Sequence, residues 1–196
     1  MRLSLLGSFL GPEFVSQGAG LILSGASGTG KTHLTVAIAY RAIQNGFEAL
    51  FTRATALIDD LSRASRPGKL RHAAAAYTHP HVLVIDEVGY LTYGPDATNI
   101  LFQVVTDRYL HKRPMIFTTN KPLPAWGRVL HDPDLAEAIL DRVLEHGRLI
   151  ELRGGSYRTR AISSLTSRRR RTHHRPHRPE FPETSGQNFR NPHSVL

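Results

Sequence analysis

Eight consecutive residues, Gly25-Ala26-Ser27-Gly28-Thr29-Gly30-Lys31-Thr32, satisfy the pattern G-x-x-x-x-G-K-[ST] at every fixed position. Glycines there let the backbone curl until successive N–H groups point into one concavity, which is a receptor for phosphate oxygens. Lys31 supplies a point charge for the β- and γ-phosphates, and the Thr32 hydroxyl is a ligand for Mg²⁺. A second feature is Asp86-Glu87, directly after the four aliphatics Val82-Leu83-Val84-Ile85. One acid in that position holds Mg²⁺, and its neighbour polarises a water for in-line attack. The chemistry implied is ATP binding and hydrolysis with Mg²⁺.

Two further residues are candidates with a plainer reading beside them. Asn120 follows the apolar run Met115-Ile116-Phe117. It reads either as an amide that orients the lytic water or as an ordinary turn asparagine. Arg142 lies in Leu140-Asp141-Arg142-Val143. It reads either as an arginine reaching a neighbouring subunit's γ-phosphate or as a helix arginine paired with Glu145 or Asp141. His173, His174 and His177 have loose spacing for a metal site and read as solvated charge. Trp126 reads as a packing anchor.

These residues need a frame that brings them to one edge. Leu21-Ile22-Leu23 predicts a buried strand before the phosphate loop, and Lys31 to about Asn45 predicts the helix after it, stopped by Gly46. Further strands are predicted at Phe47–Thr52, Val82–Ile85, Pro114–Thr118 and Arg148–Leu152. Helices are predicted at Ala56–Ala64, Lys69–Tyr77, Asp96–Leu110 and from Pro133 to about His146, the last capped by Asp132. The stretch around Pro122, Pro124 and Trp126 reads as a loop, and residues 1 to about 18 show no clear periodicity. Strands alternating with helices imply an α/β fold, a five-stranded parallel sheet with helices on both faces.

Composition bounds the rest. A chain of 196 residues suits one domain with a full core. It has no cysteine, which excludes disulfides and thiolate chemistry. No apolar run approaches the ~20 residues of a membrane span. An ATP site needs cytosolic nucleotide, and a cytoplasmic protein is expected on that ground. The formal net charge is +9, and seven arginines against two glutamates after Arg160 carry much of it. A basic chain points to a polyanion, and nucleic acid is the first candidate. Residues 161–196 are expected to be a disordered Arg/His/Pro-rich tail, residues 14–160 the core, and residues 1–13 an unassigned segment.

Several stretches together resemble the IstB-like helper ATPases of insertion-sequence transposition, relatives of the DnaC helicase loader within the AAA+ class. They are Gly25–Leu34, Val82–Leu91, Leu101–Val105, Arg108-Tyr109, Thr118–Pro122, Trp126-Gly127, Asp132-Pro133, Ala138–Arg142 and Gly155–Arg158. The resemblance covers about Phe14 to Arg160. It implies a P-loop NTPase fold, an AAA+ core with strand order 5-1-4-3-2. It further implies Asn120 as the sensor beside the γ-phosphate and Arg142 as a finger acting in trans. The function it implies is that of an ATPase that forms homo-oligomers with ATP on double-stranded DNA and assists a partner transposase; the basic charge, with no base-reading helix, adds that the DNA contact is without sequence preference. The family carries a helical domain ahead of this core, whereas residues 1–13 do not resemble it. A truncated remnant that binds ATP without supporting transposition is therefore one alternative, and a DnaC-type loader of a replicative helicase is another. A small-molecule P-loop kinase fits least, because the acid pair is suited to activating water.

Overall fold

The computed structural model describes residues 7–64, 67–89 and 95–157. The Arg/His/Pro-rich tail and its histidines lie outside the described residues. In chain order the elements are α1 (Pro12–Ser16), β1 (Leu21–Gly25), α2 (Lys31–Gln44), β2 (Ala49–Arg53), α3 (Ala54–Arg63), α4 (Pro67–Thr78), β3 (Val82–Val88), α5 (Pro95–Leu110), β4 (Met115–Thr119), α6 (Trp126–Leu130), α7 (Pro133–Leu144) and β5 (Arg148–Leu152). A 3₁₀ turn, Leu123–Ala125, precedes α6.

Among the described residues the strands form one sheet in the order β2-β3-β4-β1-β5, with every neighbour pair parallel. This is the order 5-1-4-3-2 read from the other edge. Parallel strands need covering on both faces, and alternate side chains of each strand serve the two layers. Leu83 and Ile85 of β3 join Ile22 and Phe117 under α3, α5, α6 and α7. Val82 and Val84 join Leu21, Leu23 and Ile116 against α2 and α1. All five aliphatics of β3 are fully buried, as a strand covered on both faces requires.

The ends of the chain's elements follow local rules. Asp132 caps α7, its carboxylate accepting the Leu135 N–H at 2.9 Å, with Pro133 in the first turn. Two predicted features differ. Residues 7–17 are structured: α1 places Phe14 and Val15 in the core, and Phe9 meets the Phe14 ring edge-on. Their short helix was below the reach of periodicity, since five residues make barely more than one turn. The predicted loop around Trp126 contains α6, again five residues long. Trp126 is buried against Phe117 with ring centroids 6.0 Å apart, so its role as a packing anchor holds.

Arg108 is the most unusual core residue, since its guanidinium is fully buried and no carboxylate is bonded to it among the described residues. Instead its two terminal nitrogens donate to the carbonyls of Tyr77, Thr78, Pro80, His81 and Pro114, at 2.8 to 3.4 Å. Burial disfavours the charged form, and five carbonyl dipoles offset that cost. The side chain thereby stitches α5 to the α4–β3 connection and the start of β4. Tyr77, at the end of α4, also donates its hydroxyl to Asp60 of α3, and burial together with that carboxylate pushes its pKa up to about 12. Replacing Arg108 with Met should lower stability by about 3 kcal/mol or more, because several buried carbonyls lose their donor. Urea unfolding measures this; a midpoint unchanged from the parent would show that water replaces the guanidinium at no cost.

Candidate nucleotide-binding site

β1 ends in the phosphate loop, and α2 begins at Lys31. The helix is preceded by Gly30 in the left-handed region (φ 93°) with no side-chain cap. The loop thus adjoins the positive end of a 14-residue helix, where anions are favoured. Gly28 is also left-handed (φ 79°), and a Cβ there would sit 2.1 Å from the Ser156 hydroxyl oxygen. The Gly28 carbonyl accepts the Tyr157 N–H at 2.9 Å. The segment after β5 thus packs directly on the loop tip, and only glycine fits between them.

The strand order carries the acids to the same edge. β3 lies two strands from β1, and both C-terminal ends open on one cleft of about 700 Å³. Ser27 to Leu34, Glu87, Asn120 and Tyr157 are among the residues lining it. This is the sheet edge where parallel α/β folds bind ligands. Thr32 donates its hydroxyl to Asp86, 3.2 and 3.1 Å from the two carboxylate oxygens, across 54 positions of sequence. Asp86 is buried, whereas Glu87 is exposed to the cleft. Lys31 donates to the carbonyls of Gly25 at 2.7 Å and Ala26 at 2.8 Å, so its ammonium lies inside the loop. The loop holds its own shape through Thr29, which donates to the Ala26 carbonyl at 2.8 Å.

The donor chemistry fits Mg²⁺. The Thr32 hydroxyl and the Asp86 carboxylate are hard oxygen ligands already side by side, and a loop for phosphate oxygens adjoins them. With the uncapped helix, the cleft has the groups to hold a nucleoside triphosphate and its divalent cation.

Glu87 has φ 62°, unusual for a residue with a side chain. Its carboxylate lies 3.9 Å from Arg53 Nε at the end of β2, an exposed pair. Asn120 follows the last residue of β4 and reaches the same cleft. Arg142 does not line it. Its guanidinium carbon sits 4.7 Å from the Phe102 ring centre on α5, and its Nη1 donates to the Ala138 carbonyl at 2.9 Å. Glu145, one candidate partner for it, instead accepts from the Tyr109 hydroxyl.

Two neighbours of the acids were not among the sequence candidates. Arg53 ends a strand distant in sequence, and only the β2–β3 pairing brings it beside Glu87. Thr118 is one of two fully buried threonines that end β4, and a polar residue at a core position was the signal available for it.

A family model described as IstB-like ATP binding protein matches residues 4–164. The chain belongs to that family. An insertion-sequence ATP-binding protein of Geobacillus stearothermophilus is 41% identical over 148 residues, which are 76% of this chain and 59% of that protein. Its counterpart in Bacillus thuringiensis is 38% identical over 150 residues, 76% of this chain and 60% of the relative. The IstB-like chain thus spans about three fifths of the length of these relatives. Among solved structures, the DnaC helicase loader superposes with a TM-score of 0.63 at 25% identity, covering 77% of this chain and 88% of that one. AMPPCP-bound DnaA from Aquifex aeolicus gives a TM-score of 0.66 at 20% identity, covering 85% and 51%. The fold is that of the AAA+ P-loop class. The family match begins ahead of Phe14 and so takes in the segment carrying Phe9, which the resemblance in sequence had left out.

Gly28→Ala should weaken nucleotide binding at least tenfold, read by titration with a fluorescent ATP analogue, because both the backbone angle and the Ser156 contact oppose a Cβ. Adding Ser156→Gly should recover only part of the loss, since the φ restriction remains. Full recovery would show that crowding alone matters there.

Proposed function

We propose that this protein binds Mg·ATP, hydrolyses it, and assists a partner transposase by assembling on double-stranded DNA. The observation that carries the reading is the apposition of Thr32 and Asp86 beside Lys31, with Glu87 and Asn120 on the same cleft. Binding would fall to the loop amides of Gly25 to Thr32 and to the Lys31 ammonium, which would supply charge to the β- and γ-phosphates. Thr32 and Asp86 would hold Mg²⁺, which supplies screening of phosphate charge when bound. Glu87, exposed and free of the core, takes the proton of the attacking water, and Asn120 orients that water toward the γ-phosphate.

Arg142 is assigned to a neighbouring copy's site. Its place on α7, outside the cleft of its own chain, supports action in trans, and a homo-oligomer on ATP and DNA would bring the two together. The DNA contact rests on charge rather than on a base-reading element, so binding is without sequence preference. The insertion-sequence relatives support a transposase as partner over the replicative helicase that the DnaC likeness suggests. Such work on DNA is cytoplasmic; among the described residues no helix is long and apolar enough to cross a membrane.

Lys31→Ala should abolish ATP binding by calorimetry, whereas Glu87→Gln should bind normally and lose turnover. Equal affinity for Lys31→Ala and the parent would overturn the nucleotide reading. Arg142→Ala should bind ATP but lose about 10³-fold or more in rate, as arginine fingers do. Mixing it with Lys31→Ala should restore part of the activity, since the latter donates fingers to sites that bind. Turnover independent of protein concentration, with no rescue on mixing, would return Arg142 to a surface role.

Deleting 161–196 removes seven arginines and should flatten the salt dependence of DNA binding. A slope unchanged by the deletion would place the DNA contact elsewhere. ATP turnover without stimulation of a transposase would favour the remnant reading.

A further inference from the structure

Asp86 and Glu87 are adjacent in a strand, and in a regular ladder their side chains would point to opposite faces. Here the ladder is broken. Ile85 pairs with Phe117 and Val88 with Thr119, so two residues of β3 face the single residue Thr118 of β4. This is a β-bulge, and the left-handed backbone of Glu87 is its turning point. A bulge takes a backbone amide out of the ladder, and a buried amide without an acceptor is costly.

The Thr118 hydroxyl fills that role. Its oxygen accepts the Glu87 N–H at 2.9 Å, and its one proton goes to the Asp86 carboxylate oxygen Oδ1. The same oxygen of Asp86 is a partner of Thr32. One buried hydroxyl therefore touches both acids, by the side chain of the first and the main chain of the second. Both of its hydrogen-bonding functions are used, so its rotamer is fixed from two sides. Thr118 is also two residues before Asn120, on the strand that delivers it to the cleft.

We propose that Thr118 is a positioning residue that holds the Asp86 carboxylate in its metal-binding orientation and pins the bulge that aims Glu87 into the cleft. The proposal rests on the Mg·ATP reading of the same cleft. A carboxylate held by two hydroxyls, Thr32 and Thr118, keeps Oδ2 turned toward the phosphate loop. A Glu87 main chain anchored at its amide keeps an uncommon φ without help from its exposed side chain. Only a hydroxyl can donate and accept at once in this space; valine matches the shape and does neither.

The test compares Thr118→Val and Thr118→Ser with the parent in full-length protein. ATP affinity is measured by calorimetry in EDTA and in excess Mg²⁺, and steady-state turnover is measured alongside. Thr118→Val should bind ATP in EDTA like the parent, because the phosphate loop is untouched. It should lose most of the enhancement of affinity by Mg²⁺, and its kcat should fall at least tenfold. Thr118→Ser restores the hydroxyl and should return both readouts to within about threefold of the parent. Should Thr118→Val fail to fold, Thr118→Ala removes the hydroxyl with less crowding and carries the same expectations.

A hydroxyl-free variant with the parent's Mg²⁺ enhancement and kcat would overturn the proposal. So would an equal loss of affinity in EDTA and Mg²⁺, which marks a general packing defect. If the parent itself bound no ATP, the nucleotide reading would fail first. A parent that binds Mg·ATP beside a hydroxyl-free variant with unaltered Mg²⁺ response would sink only the role of Thr118.

Discussion

The contact on which the rest of the site depends is the hydrogen bond between Thr32 and Asp86. It joins the first turn of α2 to the end of β3, two strands away in the sheet. For the two to meet, β4 must lie between β1 and β3 in parallel register, and α2 must pack back on the sheet through Thr35, Ile38, Ala39 and Ala42. The apolar layers on both faces fix those positions to within a side chain's width. Binding chemistry at the cleft is thus a consequence of core packing, and the polar residues add little that would hold the fold by themselves.

The two layers share the task unequally. On the side of α2, the sheet is covered by one long helix and the short N-terminal α1, with Phe9 and Phe14 closing the cluster. On the other side α3, α5, α6 and α7 make a thicker layer, with α4 beside them through Tyr77. Arg108 locks this side together at the edge opposite the cleft, where β3 and β4 begin. A buried cation held by backbone carbonyls tolerates little displacement, because each lost bond leaves an unsatisfied dipole. It therefore makes the start of the strands the stiff end, while the exposed Glu87 and Asn120 sit at the end that meets ligand. Stiffness at one end of the strands and exposure at the other suits a nucleotide site, since the acids must be aimed but the γ-phosphate must enter and leave.

Local cost is concentrated where the chemistry is proposed. Gly28 and Gly30 are left-handed, Glu87 is left-handed without being glycine, and the β3–β4 ladder is interrupted beside it. Such features persist only when neighbours over-determine them. Thr118 and the segment after β5 are those neighbours: the first satisfies the amide displaced by the bulge, the second closes on Gly28. The IstB-like family match covers this core, which spans about three fifths of relatives named as insertion-sequence ATP-binding proteins. The roles of partner and oligomer therefore belong to experiment on the whole protein.

Much of this was legible in the residues. The phosphate loop announced itself by pattern, the central strands by runs of apolar residues with no room for alternation, α3 and α5 by their helical spacing of apolar residues, and α7 by its Asp132-Pro133 cap. Those signals are local, and local sterics and burial decide them. α1 and α6 were missed because five residues cannot display a helical period; Phe14 and Trp126 become helical through what they pack against. The boundary of β3 also moved: sequence ended it at Ile85, and pairing with β4 carries it through the bulge to Val88. Arg53 beside Glu87, the bonds of Thr118 to both acids and Phe102 beneath Arg142 were invisible in the chain. Each partner is distant in sequence, and no periodicity encodes which strand lies next to which. The sequence by itself determined the kinds of groups available, a phosphate loop and two acids. The tertiary structure decided which hydroxyl meets which carboxylate, because strand order and a single bulge set distances that no spacing along the chain can fix.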